Sequence, residues 1–162
     1  MAYLLDANVF IEARRRYYGL DFCSAFWDWL IAANGRGAVY SIERIREQLM
    51  GAGDELSDWV RALPPEFFFP ADEATLSSLA AAVEWSRKQS FRQSAIALFA
   101  DDADAYLVAH AHAHGHTVVT LEQPSDGVRL VKIPNACVGL GVKYINTFEL
   151  LRREGARFVL SA

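Results

Sequence analysis

Four stretches of this chain place carboxylates where chemistry can use them. Asp6 stands between the apolar runs Tyr3-Leu4-Leu5 and Val9-Phe10-Ile11, at the apparent end of a buried strand. In open α/β sheets that edge is where ligands bind, which makes Asp6 a site candidate. Asp104 is followed by Leu107, Val108 and Ala111 at i+3, i+4 and i+7, so it shares the apolar face of a helix and lies in its first turn. Glu43 and Glu47 lie four residues apart beside an Ile42, Ile45, Leu49 stripe, and periodicity alone does not choose between them. Glu122 follows the run Thr117-Val118-Val119-Thr120 by two residues and so leaves a second strand end. Asp101 precedes Asp104 by one turn on the same face, while Asp102 points elsewhere. Both read as helix caps with favourable dipole placement.

Acids that converge on one sheet edge repel each other and take up protons unless a cation compensates, so four of them imply bound metal. The donors are all oxygen, which favours Mg²⁺ or Mn²⁺ over zinc. One or two such ions can neutralise a phosphodiester, orient or deprotonate a water and stabilise the leaving oxyanion. Hydrolysis of a nucleic-acid backbone fits that arrangement. The basic run Arg14-Arg15-Arg16 lies about 12 Å along the helix from Asn8, so it would reach a flanking phosphate rather than the scissile one.

Other motifs carry less. His110, His112, His114 and His116 alternate along a helix, where only His110 and His114 share a side, and they read as surface histidines. Gly139-Leu140-Gly141 lacks the third glycine and the strand-to-helix context of a dinucleotide fingerprint, so it reads as a turn. Cys23 and Cys137 have no paired-thiol spacing and read as reduced thiols. An aspartyl-nucleophile phosphatase would want a second acid two residues after Asp6, where Asn8 stands.

The elements that must position these acids alternate. The 162 residues, 52% hydrophobic and 22% charged, suit a single domain spanning 1–162 with a real core. A net charge of −4 disfavours a protein that coats nucleic acid by bulk electrostatics. With no secretory signal and no apolar run of transmembrane length, the chain reads as cytoplasmic, with no membrane partner. Strands are expected at 2–6, 38–41, 117–120 and 129–133, with an edge strand at 157–160. Helices are expected from Asn8 to Gly19, over 21–34 with a buried Phe22, Phe26, Trp29, Leu30 stripe, from an N-cap at Ser41 to Met50, and over 54–63, 71–88 and 101–114. A last helix begins at Thr147. The proline-punctuated Phe67-Phe68-Phe69 is too broken for a long strand, and 89–100 reads as a loop or a short helix. This alternation implies an α/β fold, with helices on both sides of a mainly parallel sheet.

Tyr3-Leu4-Leu5-Asp6-Ala7-Asn8-Val9-Phe10-Ile11, Ser41 with Glu47 six residues on, Asp104-Ala105-Tyr106-Leu107-Val108-Ala109 and Val118-Val119-Thr120-Leu121-Glu122 together resemble the PIN-domain nucleases, including the VapC-like toxins of toxin–antitoxin systems. The resemblance runs from Ala2 to about Leu151. It implies a three-layer α/β/α sandwich and metal-binding acids at Asp6, Glu47, Asp104 and Glu122, supported by Asn8 and Thr120, and it chooses Glu47 over Glu43. Ala7 stands where the family tends to carry Thr or Ser. Glu122 stands where it usually has Asp, with Asp101 a substitute outer acid. The activity implied is Mg²⁺- or Mn²⁺-dependent hydrolysis of RNA by an endoribonuclease, with a cognate antitoxin and a homodimer as partners. The aromatic stripe of the second helix is the candidate contact surface. The rival reading is a catalytically silent PIN-like module that binds RNA or protein.

Overall fold

Tyr3-Leu4-Leu5 has no polar residue to turn towards solvent, and it forms a strand, β1 (Tyr3–Leu5), buried along its whole length. That is the environment of a central parallel strand covered on both faces. The structure, a computed structural model, describes residues 1–161. β1 pairs in parallel with β2 (Val39–Ile42) on one side and β4 (Thr117–Val119) on the other. Two two-residue strands, β3 (Phe68–Phe69) and β5 (Tyr144–Ile145), close the edges, giving an all-parallel sheet in the order β3-β2-β1-β4-β5.

Nine α-helices lie among the described residues. Between β1 and β3 come α1 (Ala7–Glu12), α2 (Ser24–Gly35), α3 (Glu43–Met50) and α4 (Glu55–Arg61). After β3 come α5 (Glu73–Arg87), α6 (Gln93–Asp101) and α7 (Ala103–His114). The helices α8 (Ile133–Leu140) and α9 (Thr147–Arg153) flank β5. The chain steps one way from β1 to β3, then crosses to β4 and steps the other way. Right-handed crossovers therefore place α1–α4 on one face and α5–α8 on the other, a three-layer α/β/α sandwich. α5, α7 and α8 pack on one another accordingly, as do α1, α3 and α4. The reversal makes β1 and β4 the switch point, where a crevice opens beyond the strand ends.

Several local expectations give way to tertiary context. Ser41 is not a helix cap: it lies in β2, and its buried hydroxyl donates to the Leu5 carbonyl at 2.7 Å, pinning the end of β1. The first helix loosens at Ala13–Tyr17 into a π-helical turn that carries Arg14–Arg16. Phe22 falls outside α2 and is exposed, whereas Phe26, Trp27 and Leu30 fill the core. The stripe proposed as a contact surface is thus largely interior.

Residues 129–133 are not a strand. Pro134, at the second helical position, starts α8, which runs through Gly139 and Leu140, and Gly141 caps it in the left-handed conformation at φ +71°. The last strand is instead Tyr144–Ile145. No strand forms at 157–160. The helix expected over 101–114 begins at Ala103, because Asp101 ends the preceding helix and Asp102, whose ψ of 149° is extended, separates the two.

Candidate functional site

β1 ends at Leu5, so Asp6 takes the extended residue before α1 and turns its carboxylate beneath the sheet edge, 2% exposed. β4 ends one residue before Thr120, whose backbone N–H donates to the Ile145 carbonyl at 2.9 Å. The buried Thr120 hydroxyl donates to Asp6 Oδ2 at 3.0 Å, and its own oxygen accepts the Glu122 N–H at 3.1 Å. One threonine thus ties two acids together across the switch point. The exposed Asn8 supports Asp6 through its backbone, since the Ala7 and Asn8 amides both bond the Asp6 carboxylate.

Asp104 enters from the first turn of α7 and shares a cleft of about 130 Å³ with Asp102, Glu122 and Lys132. Burial, with Asp6, Asp102 and Glu122 nearby, pushes its carboxyl up to about 8, against a partial pull down by Lys132. Burial, then the Glu122 charge, pushes Asp6 up to about 7 despite the hydrogen bonds from Thr120, Ala7 and Asn8. Two acids held near neutrality beside two more, with one ammonium near Asp104, form a pocket short of positive charge. An all-oxygen donor set of this kind suits a hard divalent cation. Asp6, Asp104 and Glu122 are the residues that could hold it, although their carboxylate oxygens do not all lie within 4.8 Å of one another.

Two expected members stand apart. Glu47 is exposed on α3, lining surface clefts with Glu43, and its charge is not among those that act on Asp6 or Asp104. Asp101 ends α6 with its side chain 92% exposed, its carbonyl accepting from Arg44 at 3.0 Å. Asp102, rather than Asp101, borders the cleft. The helix break between them rotates Asp101 off the face that an unbroken helix would give it. Lys132 was hidden by the strand reading of 129–133, although the Pro134 that follows is a helix-start signal. The arginine run is engaged locally: Arg14 pairs with Asp54 at 3.3 Å, and Arg15 and Arg16 pair with Glu12 at 3.7 and 3.2 Å.

The profile of a domain of unknown function, DUF4411, matches residues 3–158. The chain belongs to the DUF4411 family. No curated protein matches this DUF4411 chain. Among solved structures, the crystal structure of FitAcB from Neisseria gonorrhoeae is similar at a TM-score of 0.55 and 20% identity, covering 90% of this chain and 98% of that one. At that identity the likeness concerns the fold, and it agrees with the PIN-like sandwich expected from the motifs. No helix among the described residues is long and apolar enough to cross a membrane.

Proposed function

We propose that this DUF4411 chain is a Mg²⁺- or Mn²⁺-dependent endoribonuclease, acting in the cytoplasm as the toxin of a toxin–antitoxin pair. The observation that carries the reading is that Asp6, Asp104 and Glu122 gather near the β1/β4 switch point closely enough for their charges to act on one another, raising Asp6 to about 7 and Asp104 to about 8. A divalent ion held there supplies charge neutralisation at a phosphodiester and a more acidic water. The chain's own residues do the rest. Thr120 fixes the orientation of Asp6, and Glu122 draws its backbone N–H onto the same hydroxyl. Lys132 borders the cleft as a cation for a phosphate oxygen. RNA as substrate, a cognate antitoxin and a homodimer come from the motif resemblance, and the PIN-like fold shared with FitAcB is in keeping with them.

The test is cleavage of RNA by purified protein with Mg²⁺ or Mn²⁺, beside Asp6→Asn and Asp104→Asn. Loss of at least about 100-fold in each variant is the expected result, because each removes a charge on which the cation depends. Equal rates in wild type and both variants would sink the proposal. The silent binding module has one observation in its favour, that Glu47 is exposed and its charge is not among those acting on Asp6 or Asp104. Undetectable Mn²⁺ binding at millimolar concentration, with RNA or protein still bound, would favour it.

A further inference from the structure

The far end of α7 carries a second cluster of metal-ligating groups that the nuclease reading does not use. His110 and His114, four residues apart on one face, bring their ring centroids to 4.6 Å. Asp72, the residue that begins α5, reaches across from the neighbouring helix, its Oδ2 lying 2.8 Å from His114 Nε2. One ligand atom from each of Asp72, His110 and His114 lies within 4.8 Å of the others. We infer that these three side chains form a binding site for a transition-metal dication of the Zn²⁺ type, with two nitrogen donors, one oxygen donor and a fourth position left for water.

Two of the three ligands, Asp72 and His110, are oriented from behind, as metal-binding side chains are. The Asp72 carboxylate caps α5 through Oδ1, accepting the Thr75 N–H at 2.8 Å, which leaves Oδ2 towards the histidines. The Thr75 hydroxyl lies 3.0 Å from His110 Nδ1 and also bonds the Asp72 carboxylate. A hydroxyl that donates to Asp72 has its lone pairs for the His110 Nδ1–H, and that tautomer bares Nε2, the nitrogen a metal needs. Phe69 stacks on the His110 ring at 4.9 Å and fixes its plane. His110 is buried, which limits the freedom of its ring.

The neighbouring histidines are committed elsewhere. His112 Nδ1 lies 2.8 Å from Ser78 Oγ, and His116 Nδ1 accepts the Ala2 N–H at 3.0 Å, which puts its proton on Nε2. The donor set is therefore three, the count of an open zinc site rather than a closed structural one. Tetrahedral bonds of about 2.0–2.1 Å set ligand atoms about 3.3 Å apart, so the 2.8 Å Asp72–His114 pair opens slightly and side-chain rotation closes the remaining separations, which are at most 4.8 Å. Imidazole selects zinc, copper or nickel over magnesium, in contrast to the all-oxygen cleft. His110 and His114 lie about 9 and 15 Å along α7 from Asp104, so the two sites are separate.

Titrating EDTA-stripped protein with Zn²⁺ in millimolar Mg²⁺ by calorimetry tests the site, with Co²⁺ absorption as a coordination readout. The wild type should take up one Zn²⁺ with micromolar or tighter affinity and give an intense tetrahedral Co²⁺ band. His114→Ala, at a half-exposed position, and Asp72→Asn, which keeps the α5 cap acceptor, should each weaken Zn²⁺ binding at least tenfold, whereas Asp6→Asn/Asp104→Asn should leave it unchanged. Absence of micromolar Zn²⁺ binding in the wild type overturns the inference. So does binding that survives His114→Ala and Asp72→Asn, or binding lost in Asp6→Asn/Asp104→Asn, which would place the ion in the acidic cleft.

Discussion

Asp6→Asn should stabilise the metal-free protein at pH 8. The folded state raises Asp6 from 3.8 to about 7, mainly through burial. At about 1.4 kcal/mol per pH unit, holding that carboxylate ionised costs the fold about 4 kcal/mol. Asparagine removes the charge and keeps an oxygen for the Thr120 hydroxyl, but its amide group cannot replace both carboxylate oxygens facing the Ala7 and Asn8 amides. The net gain should therefore be about 1–3 kcal/mol, or several degrees in Tm at about 2–4 °C per kcal/mol for a chain of this size.

The pH dependence identifies the cause. Because the folded pKa lies above the unfolded one, the folded state keeps a proton that the unfolded chain releases. The Asp6 contribution to wild-type stability therefore falls as pH rises from about 4 to about 7 and levels off above that, while Asp104, raised to about 8, extends the fall by about one more unit. The advantage of Asn should vanish near pH 4 and turn into a small disadvantage there, since the charge cost is gone and the poorer acceptance of the Ala7 and Asn8 amides remains, and Mn²⁺ should raise the melting temperature of the wild type far more than that of the variant. Urea or thermal denaturation in EDTA at pH 8 and pH 4.5 measures both effects. A variant no more stable than wild type at pH 8, or an advantage undiminished at pH 4.5, refutes the argument that Asp6 is a buried charge waiting for a cation.

Mn²⁺ affinity measured calorimetrically should rise steeply between pH 6 and 8.5, since the ion displaces protons from Asp6 and Asp104, whose values lie near 7 and 8; a flat profile contradicts this. Thr120→Val removes the hydroxyl between Asp6 and Glu122, and should weaken Mn²⁺ binding about tenfold and cost about 1–3 kcal/mol in urea denaturation. Gly139→Ala sets a Cβ 2.2 Å from the Trp85 ring, so it should lower stability by about 1–3 kcal/mol and change Trp85 fluorescence.

The positions of Asp6, Asp104 and Glu122 were legible because each follows from a short-range rule: an acid after an apolar strand, an acid in the first turn of an apolar-faced helix, an acid just past a second strand. Asp101 and Asp102 were exchanged because the i, i+3 rule assumes an unbroken helix, and Asp102 is the extended residue joining two. The alternation in Arg129-Leu130-Val131-Lys132-Ile133 imitates a strand, yet Leu130 is exposed and the helix start at Pro134 prevails. His110 departs from the surface reading for a non-local reason, being buried by α5, whose Thr75 is 35 positions away, whereas His112 and His114 are exposed as expected. The face shared by His110 and His114 could be read from spacing alone, but the carboxylate that meets them could not.

Glu122 explains its own departure from the resembling pattern. Its Oε2 accepts the Ile133 N–H at 2.8 Å, satisfying an orphan donor in the first turn of α8. An aspartate on the same backbone is one methylene shorter and would have to choose between that amide and the cleft. The glutamate spans both, binding α8 with one oxygen while its charge still acts on Asp6 and Asp104. Lys132, the cap residue of α8, is carried into the cleft by the same arrangement. The start of α8 is therefore part of the acidic site, and the loop from Gln123 to Val131 has to close before the cleft is complete.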